Sequence, residues 1–263
     1  MNEQMRAVAA APAVQPIPNA VAVASGKGGV GKTWLSISLT HALAKLGRRI
    51  VLIDGDLGLA NVDIQLGLSP EVDLADVLDS GVPLTQAAQR HEATGCDIIA
   101  GRSGVASLAA LPPARLTAFG RGIAELSARY DRVVIDLGAG VERPVRHLAA
   151  LAAQTIVVTN DEPTSLTDAY ALIKLLTQDG ARTRIGVVVN AAASKAEGER
   201  TYKTLAKACD TFLKMTPPLI GVVRRDAKVR DAIRHQVPIL TRHPSCDAAR
   251  DIAAIAQRIA QSS

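Results

Sequence analysis

Seven short apolar runs, rich in Val, Ile and Leu, recur along the chain and are separated by longer stretches with helical periodicity. The runs cover residues 21–24, 50–53, 97–100, 133–135, 155–158, 185–189 and 219–223. The main helical stretches cover residues 34–46, 115–129, 165–176, 200–213 and 247–260. Because the runs are apolar at nearly every position, they predict strands that are buried on both faces of a sheet.

Strands that alternate with helices predict the fold class. We expect an α/β domain with a mostly parallel, doubly wound sheet of about seven to eight strands flanked by helices. Ser165 followed by Asp168 predicts a capping box at the start of one of these helices. Residues 1–19 contain three prolines among alanines and show no period. This pattern predicts a flexible tail at 1–19 and a single domain at 20–263.

The composition indicates the general class of protein but does not identify its function. Aromatic residues make up only 2% of the 263 residues, so Val, Ile, Leu and Ala must build the core. The net charge of +5 suits an anionic partner such as nucleic acid or a membrane surface, and equally an ordinary soluble surface. The three cysteines lie far apart, and no apolar run reaches the roughly 18 residues that a spanning helix needs. We therefore expect a cytoplasmic protein without disulfides.

A glycine-rich segment joins the first predicted strand to the first predicted helix. Its residues are Gly26, Lys27, Gly28, Gly29, Val30, Gly31, Lys32 and Thr33. Glycines let successive backbone N–H groups turn toward phosphate oxygens, and the helix N-terminus adds a positive end. Lys32 is expected to reach the β- and γ-phosphates of a nucleotide, and the Thr33 hydroxyl to bind Mg²⁺. Lys27 is either a solvated loop lysine or a cation that reaches the nucleotide of a second subunit.

Polar residues end three of the predicted strands. Asp54 and Asp56 follow the second run, Asp136 ends the fourth, and Asn190 ends the sixth. The carboxyl ends of parallel strands are where open α/β sheets bind ligands. Asp54 and Asp136, with Thr33, are the expected Mg²⁺ site, because this ion prefers oxygen ligands. Asp54, Asp56 and Asn190 are also compatible with ordinary turn residues, and a hydrophobic strand that ends in Asp, as at Asp136, is common.

Longer strings of residues resemble a known protein class. The glycine-rich segment with its second lysine resembles the deviant Walker A motif of the MinD/ParA ATPases. Further matches to the flagellar number regulator family, called FlhG, FleN or YlxH, are Asp-Gly-Asp-Leu-Gly-Leu-Ala-Asn-Val-Asp at 54–63, Gly-Ala-Gly at 138–140, Glu-Pro-Thr-Ser-Leu-Thr-Asp-Ala-Tyr at 162–170 and Ala-Glu-Gly at 196–198. The resemblance covers nearly all of residues 21–259.

The resemblance implies roles for individual residues. Lys27 would cross the interface of an ATP-bound homodimer, Asp56 would position the attacking water, and Asp54 would contact Mg²⁺ through water. Glu162 and Asp168 would lie near that interface, with Glu162 close to Lys27. The remaining residues implied to contact ATP or ADP lie around the base, and they are Trp34, Asn190 and Arg224. Trp34 and Arg224 depart from the family's usual residues, whereas Asn190 matches its adenine-reading asparagine.

The same resemblance implies partners. They are an SRP-type flagellar GTPase and flagellar basal-body or regulatory proteins, although Glu3-Gln4-Met5 only loosely matches the family's N-terminal GTPase-activating motif. Peripheral contact with the inner face of the cell membrane would use the last helix. That helix has Ile252, Ile255 and Ile259 on one face but no aromatics or lysines, so core packing is favoured.

Two other functions are weighed against flagellar regulation. A ParA-like partition ATPase would bind DNA nonspecifically, and Arg224, Arg225, Lys228, Arg230 and Arg234 form a basic cluster that could contact phosphates. Asp226 and Asp231 dilute this cluster, so DNA binding is not favoured. An iron–sulfur carrier needs paired cysteine ligands, and the spacing of Cys96, Cys209 and Cys246 excludes it.

Overall fold

The computed structural model describes residues 15–56, 58–102 and 112–261. Its strands are β1 (Ile17–Ser25), β2 (Ile50–Gly55), β3 (Gln89–His91), β4 (Cys96–Ile99), β5 (Arg132–Ala139), β6 (Ala152–Thr159), β7 (Arg184–Ala192) and β8 (Leu219–Arg224). Its helices are α1 (Lys32–Lys45), α2 (Val62–Leu66), α3 (Leu74–Ser80), α4 (Leu84–Ala87), α5 (Pro113–Ser127), α6 (Arg143–Leu151), α7 (Pro163–Gln178), α8 (Lys195–Leu213), α9 (Ala227–Arg234), α10 (Ile239–Arg242) and α11 (Asp247–Gln261).

The strands form one sheet in the order β3-β4-β2-β5-β1-β6-β7-β8. Only β3 runs antiparallel among the described strands; it pairs with β4 at the edge of the sheet. The predicted fold class is therefore confirmed. The sequence pattern missed β3 because a strand of three polar residues carries no hydrophobic signal. β1 begins at Ile17, inside the range expected to be a tail, and residues 1–14 of that range lie outside the described residues.

Alternate residues of the sheet supply two separate cores. In β1, Ala22 and Ala24 face the layer of α5, α6 and α7, whereas Val21 and Val23 face α1 and α11. All four side chains are almost completely buried. This two-sided burial explains why the strands are apolar at consecutive positions.

The last helix, α11, belongs to this core. Ile252, Ile255 and Ile259 are each at most 2% exposed, and α11 packs against α1 and β8. The preference for core packing over membrane contact is thus confirmed for this apolar face. Among the described residues, no helix is long and apolar enough to cross a membrane.

The start of α7 differs from the prediction. The helix begins at Pro163 with Glu162 as its N-cap, so the expected capping box at Ser165 and Asp168 is wrong. The Ser165 hydroxyl instead lies 2.9 Å from the hydroxyl of Thr159 at the end of β6. Proline is favourable in the first turn of a helix because its missing N–H would have no partner there.

Candidate functional site

The glycine-rich segment forms a tight loop between the central strand β1 and α1. Gly29 and Gly31 have φ angles of 81° and 85°, in the left-handed region that glycine adopts at little cost. Gly31 is the N-cap of α1, and the Ser25 hydroxyl donates a 2.9 Å hydrogen bond to the carbonyl of Lys27. The loop therefore presents the N-terminus of α1 at the carboxyl edge of the sheet, as a phosphate-binding loop must.

Lys32 lies at the base of this loop, beside Asp136. It is 7% exposed, and its Nζ lies 2.9 Å from Asp136 Oδ1. The Ser36 hydroxyl donates to the same oxygen at 2.8 Å. Among the described residues, the other carboxylate oxygen, Oδ2, is buried without a hydrogen-bond partner. A buried carboxylate oxygen without a protein partner, near the buried Thr33, fits a hydrated Mg²⁺ ion.

Asp54 lies opposite Asp136 on the neighbouring strand β2. Burial raises the pKa of Asp54 to about 7, and the nearby carboxylate of Asp136 adds to this effect. The Asp54 carboxylate accepts hydrogen bonds from the backbone N–H groups of Asp56 (3.2 Å), Asn61 (3.0 Å) and Val62 (3.0 Å). It therefore holds the start of α2 against the end of β2, in addition to its expected place near Mg²⁺.

Asp56 lies between the segment that follows β2 and the end of β5. Its Oδ1 accepts a hydrogen bond from the backbone N–H of Leu59 at 3.1 Å. On the other side, a Cβ placed on Gly138 would come within 3.3 Å of the same oxygen. The carboxylate of Asp56 is thus close to both the β2 and the β5 strand ends.

Lys27, the second lysine of the loop, reaches the surface beside α7. Its ammonium donates hydrogen bonds to the Glu162 carboxylate and, at 2.8 Å, to the Thr164 hydroxyl. Lys27, together with the side-chain amide of Asn160, holds the pKa of Glu162 below its usual range. The side chains of Lys27 and Glu162 are 33% and 54% exposed. The structure therefore brings these two predicted residues together where another molecule can reach them.

Asp168 lies against the phosphate loop through its backbone and its Cβ. A Cβ on Gly26 would lie 2.1 Å from the Asp168 carbonyl oxygen, so only glycine allows α7 to pack this closely against the loop. The first turns of α7 are consequently braced on the loop that carries Lys27.

The three residues predicted around the base have different surroundings. Asn190 lies at the end of β7, and its Nδ2 donates to the Val30 carbonyl at 2.7 Å. Trp34, which belongs to α1, is 6% exposed and packs into the core on the α1 and α11 side of the sheet. The guanidinium of Arg224 is paired with Asp251 and Asp247 of α11, so two carboxylates already offset its charge and fix its position.

Sequence reasoning missed two residues of this site. Ser36 stands four positions after Lys32, on the same face of α1, and this spacing is a signal that could have found it. Thr164, which binds Lys27, carries no such signal because its contact spans 137 positions of the chain.

Comparison with known proteins agrees with this geometry. Residues 21–239 match the model of the CobQ/CobB/MinD/ParA nucleotide binding domain. The chain is 40% identical over 239 residues to the antiactivator FleN of Pseudomonas aeruginosa, which covers 91% of this chain and 85% of FleN. It is 29% identical to the flagellum site-determining protein YlxH of Helicobacter pylori, over 82% of this chain and 73% of YlxH.

A solved structure extends the likeness to the fold. The septum site-determining protein MinD of Pyrococcus horikoshii, complexed with Mg-ADP, superposes with a TM-score of 0.78 at 25% identity. The match covers 92% of this chain and 96% of that protein. Because the family model covers most of the chain and FleN is similar over nearly all of it, the resemblance seen in the motifs is confirmed. The chain belongs to the MinD/ParA family of nucleotide-binding P-loop ATPases.

Proposed function

We propose that this protein is an ATPase that dimerises around ATP and regulates the number or placement of flagella. The observation that carries the dimer is the position of Lys27. Lys32 already supplies an ammonium next to Asp136 in the buried site, so a second lysine is not needed there to hold phosphates. The Lys27 side chain instead lies at the surface and is about one third exposed. A cation in this position suits the phosphates of a nucleotide held by a second copy.

Binding of ATP is supported by the buried side of the site. The backbone of residues 26–33 and the ammonium of Lys32 would hold the phosphates. Thr33, Asp54 and Asp136 would hold Mg²⁺, which when bound spreads the negative charge of the phosphates. Lys32 would then be shared between Asp136 and the phosphates, because it lies within reach of that carboxylate in the structure.

Hydrolysis would depend on Asp56. Its carboxylate lies between the ends of β2 and β5, where it can orient a water molecule toward the terminal phosphate. Loss of that phosphate removes the charge that the partner's Lys27 neutralises, so the dimer separates. The expected enzyme is slow and acts as a timer.

The flagellar role is supported by the flagellum site-determining protein YlxH, whose name states such a function. It is also supported by the antiactivator FleN, which belongs to the same flagellar regulator family that the motifs at 54–63 and 162–170 resemble. A flagellar GTPase, or basal-body and regulatory proteins, remain the predicted partners. Membrane contact through α11 has little support, because its apolar face is buried in the core.

The DNA-binding alternative is weaker. Within its basic cluster, Arg224 is bonded to Asp251 and Asp247, and the N–H group of the Arg225 side chain donates to the Ala191 carbonyl. Asp231, in the same cluster, is paired with Arg242 and His243. Asp251 and Asp247 offset the charge of Arg224, which DNA binding would use, and the carbonyl bond restricts the Arg225 side chain without changing its charge. Asp231 pairs with cations outside the cluster and does not neutralise it.

Light scattering with Mg·ATP and with Mg·ADP tests the proposal. The unchanged protein is expected to be monomeric with ADP and dimeric with ATP. Lys27→Ala is expected to bind ATP but remain monomeric, because the cation for the partner's phosphates is lost. Lys207→Ala, which removes an exposed lysine of α8, is the matched control and should still dimerise. A Lys27→Ala protein that dimerises as readily as the control would contradict the proposed interface.

Asp56→Ala tests the catalytic assignment separately. This variant should bind ATP and accumulate as a dimer, because the attacking water is no longer oriented. Release of phosphate should fall by at least about 100-fold, the lower end of typical general-base effects. Unchanged phosphate release would show that another group orients the water.

A further inference from the structure

Asn190 makes a contact that the expected reading of the adenine base does not explain. Its side-chain amide donates a 2.7 Å hydrogen bond to the carbonyl of Val30, inside the phosphate loop, and Asn190 is only 6% exposed. We infer that Asn190 is a positioning residue for the phosphate loop, and that it acts on phosphate binding whether or not a base is present. This inference rests on the proposed ATP-binding function.

The loop is shaped around this amide. A Cβ on Gly31 would lie 2.4 Å from Asn190 Nδ2, so any side chain at position 31 would displace the amide. Gly31 also has a left-handed φ of 85° and caps α1. One glycine thus serves both the turn of the loop and the close approach of Asn190.

The bond fixes the part of the loop that positions Lys32. Val30 stands two residues before Lys32, and the Gly31 carbonyl between them accepts the first helical hydrogen bond of α1 from Leu35 at 3.0 Å. Holding the Val30 carbonyl therefore sets the direction of the peptide groups that lead into α1. These are the N–H groups that a phosphate would contact.

Asn190 also connects strands that are not neighbours. β7 pairs with β6, and β6 separates it from β1, which leads into the loop. Among the described residues, no backbone ladder joins β7 to β1, so the Asn190 side chain links the end of β7 to the loop across β6.

Hydrogen bonds from Arg225 fix the end of β7, next to Asn190. Ala191 has a φ of 54°, in the left-handed region that strains any residue other than glycine. Arg225 binds this segment twice: its side-chain Nε donates to the Ala191 carbonyl at 3.3 Å and its backbone N–H to the Ala192 carbonyl at 2.8 Å. Strained residues that are held by their surroundings are common at ligand sites.

The chemistry of the amide allows both roles. An asparagine side chain has two N–H donors and one acceptor oxygen, so one bond to Val30 does not exclude a base contact. The two roles differ in what they predict. A base reader affects nucleotides only, whereas a loop-positioning residue also affects a polyphosphate without a base.

The test uses magnesium tripolyphosphate, which has the phosphates of ATP but no base. Its affinity is measured by displacement of a fluorescent ATP analogue from the full chain. Asn190→Ala is expected to weaken tripolyphosphate binding roughly three- to tenfold, the effect of one lost hydrogen bond. Asn190→Asp keeps the shape but turns an acceptor toward the Val30 carbonyl, so it should weaken binding at least as much. This isosteric variant also serves if the alanine variant does not fold.

Asn19 provides a matched control. Its side-chain amide likewise donates to backbone carbonyls, those of Ser127 and Tyr130, both at 2.9 Å, but at the opposite edge of the sheet. Asn19→Ala should lower the thermal midpoint and leave tripolyphosphate affinity unchanged. If Asn19→Ala weakened tripolyphosphate as much as Asn190→Ala, the effect would be a general loss of stability and the inference would fail.

The other outcomes are also decisive. If the Asn190 variants bind tripolyphosphate like the unchanged protein and lose affinity only for ATP, Asn190 is a base reader alone. If the unchanged protein binds the analogue but tripolyphosphate does not displace it, the loop does not bind phosphates without a base, and the inference is overturned. If the unchanged protein binds no ATP analogue at all, the proposed function itself has failed.

Discussion

Polar and charged side chains lie at both the amino edge and the carboxyl edge of the sheet, where the strands begin and end, but they have different partners at the two edges. At the amino edge, the buried guanidinium of Arg132 donates to the Ile259 carbonyl at 3.3 Å, and the Tyr130 hydroxyl donates to Asp97 at 2.7 Å. At the carboxyl edge, two carboxylates, Asp54 and Asp136, are fully buried on adjacent strands. Among the described residues, one oxygen of Asp136 has no protein partner.

This difference in partners distinguishes charged groups that stabilise the fold from charged groups that are available to a ligand. The polar groups of the amino edge find partners within the chain, including carbonyls of α5 and α11. The carboxyl edge collects negative charge that Lys32 and Ser36 only partly satisfy. Buried charge without full compensation is costly, and a cation or the Mg²⁺ complex of a nucleotide would offset that cost.

The largest effect is expected from Lys32→Ala at the carboxyl edge. This change removes the ammonium that lies 2.9 Å from Asp136 and leaves two buried carboxylates together. We expect ATP binding to weaken by more than about 100-fold, in line with the loss of a buried charged hydrogen bond. Calorimetric titration with Mg·ATP measures it, and an affinity within threefold of the unchanged protein would contradict the assignment.

Asp54→Ala should have the next largest effect, on stability. Three backbone N–H groups, those of Asp56, Asn61 and Val62, would lose their acceptor. We expect the free energy of unfolding to fall by about 2–4 kcal/mol, measured by urea denaturation. Asp54→Asn, which keeps an acceptor oxygen, should recover part of this loss. Equal losses in the two variants would mean that the charge, rather than the cap, stabilises the fold.

His41 lies in α1, which runs from the carboxyl edge of the sheet to the amino edge, and its titration is expected to affect stability. Burial, helped by the charge of Lys45, lowers the pKa of His41 to about 4, and its Nδ1 is buried without a partner among the described residues. Between pH 6.5 and 4 the unfolded chain binds a proton that the folded chain does not. The free energy of unfolding should therefore fall as the pH falls, by roughly 2 kcal/mol between pH 7 and pH 5.

Urea denaturation at the two pH values measures this effect. His41→Asn should reduce this dependence on pH. Burial also lowers the pKa of His91, so some dependence is expected to remain in His41→Asn. An unchanged slope in His41→Asn would mean that His41 is protonated inside the fold.

The smallest effect is expected from Arg49→Ala at the amino edge. Arg49 pairs with Asp131 at 3.2 Å, but its side chain is 69% exposed, so water screens the pair. We expect no measurable change in the denaturation midpoint or in ATP affinity. A marked loss of ATP affinity would show that the two edges are coupled, and the comparison between them would have to be revised.

Much of the fold followed from the sequence because strand burial leaves a pattern that does not depend on distant contacts. All seven apolar runs became strands, and the main helical stretches became α1, α5, α7, α8 and α11. The shorter elements α2, α3, α4 and α10 have only four to seven residues, too few to show a period. The capping box at Ser165 failed because proline at position 163 had already started the helix.

The candidate site could be predicted where a motif lies within one segment. The loop at 26–33 and the carboxylates at the ends of β2 and β5 are of this kind. The surroundings of Arg224 could not be predicted in this way, because nothing near it in the sequence shows that its guanidinium donates to Asp251, 27 positions away.

The sequence by itself determined which strands are buried, where the phosphate loop lies and which family the chain resembles. These properties depend on local backbone requirements and on apolar periodicity, both of which are written in consecutive residues. Only the tertiary structure decided that Lys27 binds Glu162 and Thr164, that Asp54 accepts a hydrogen bond from the first residue of α2, and that Asn190 holds Val30. Most of these contacts join residues more than 100 positions apart, and their partners are selected by how the strands are ordered in the sheet.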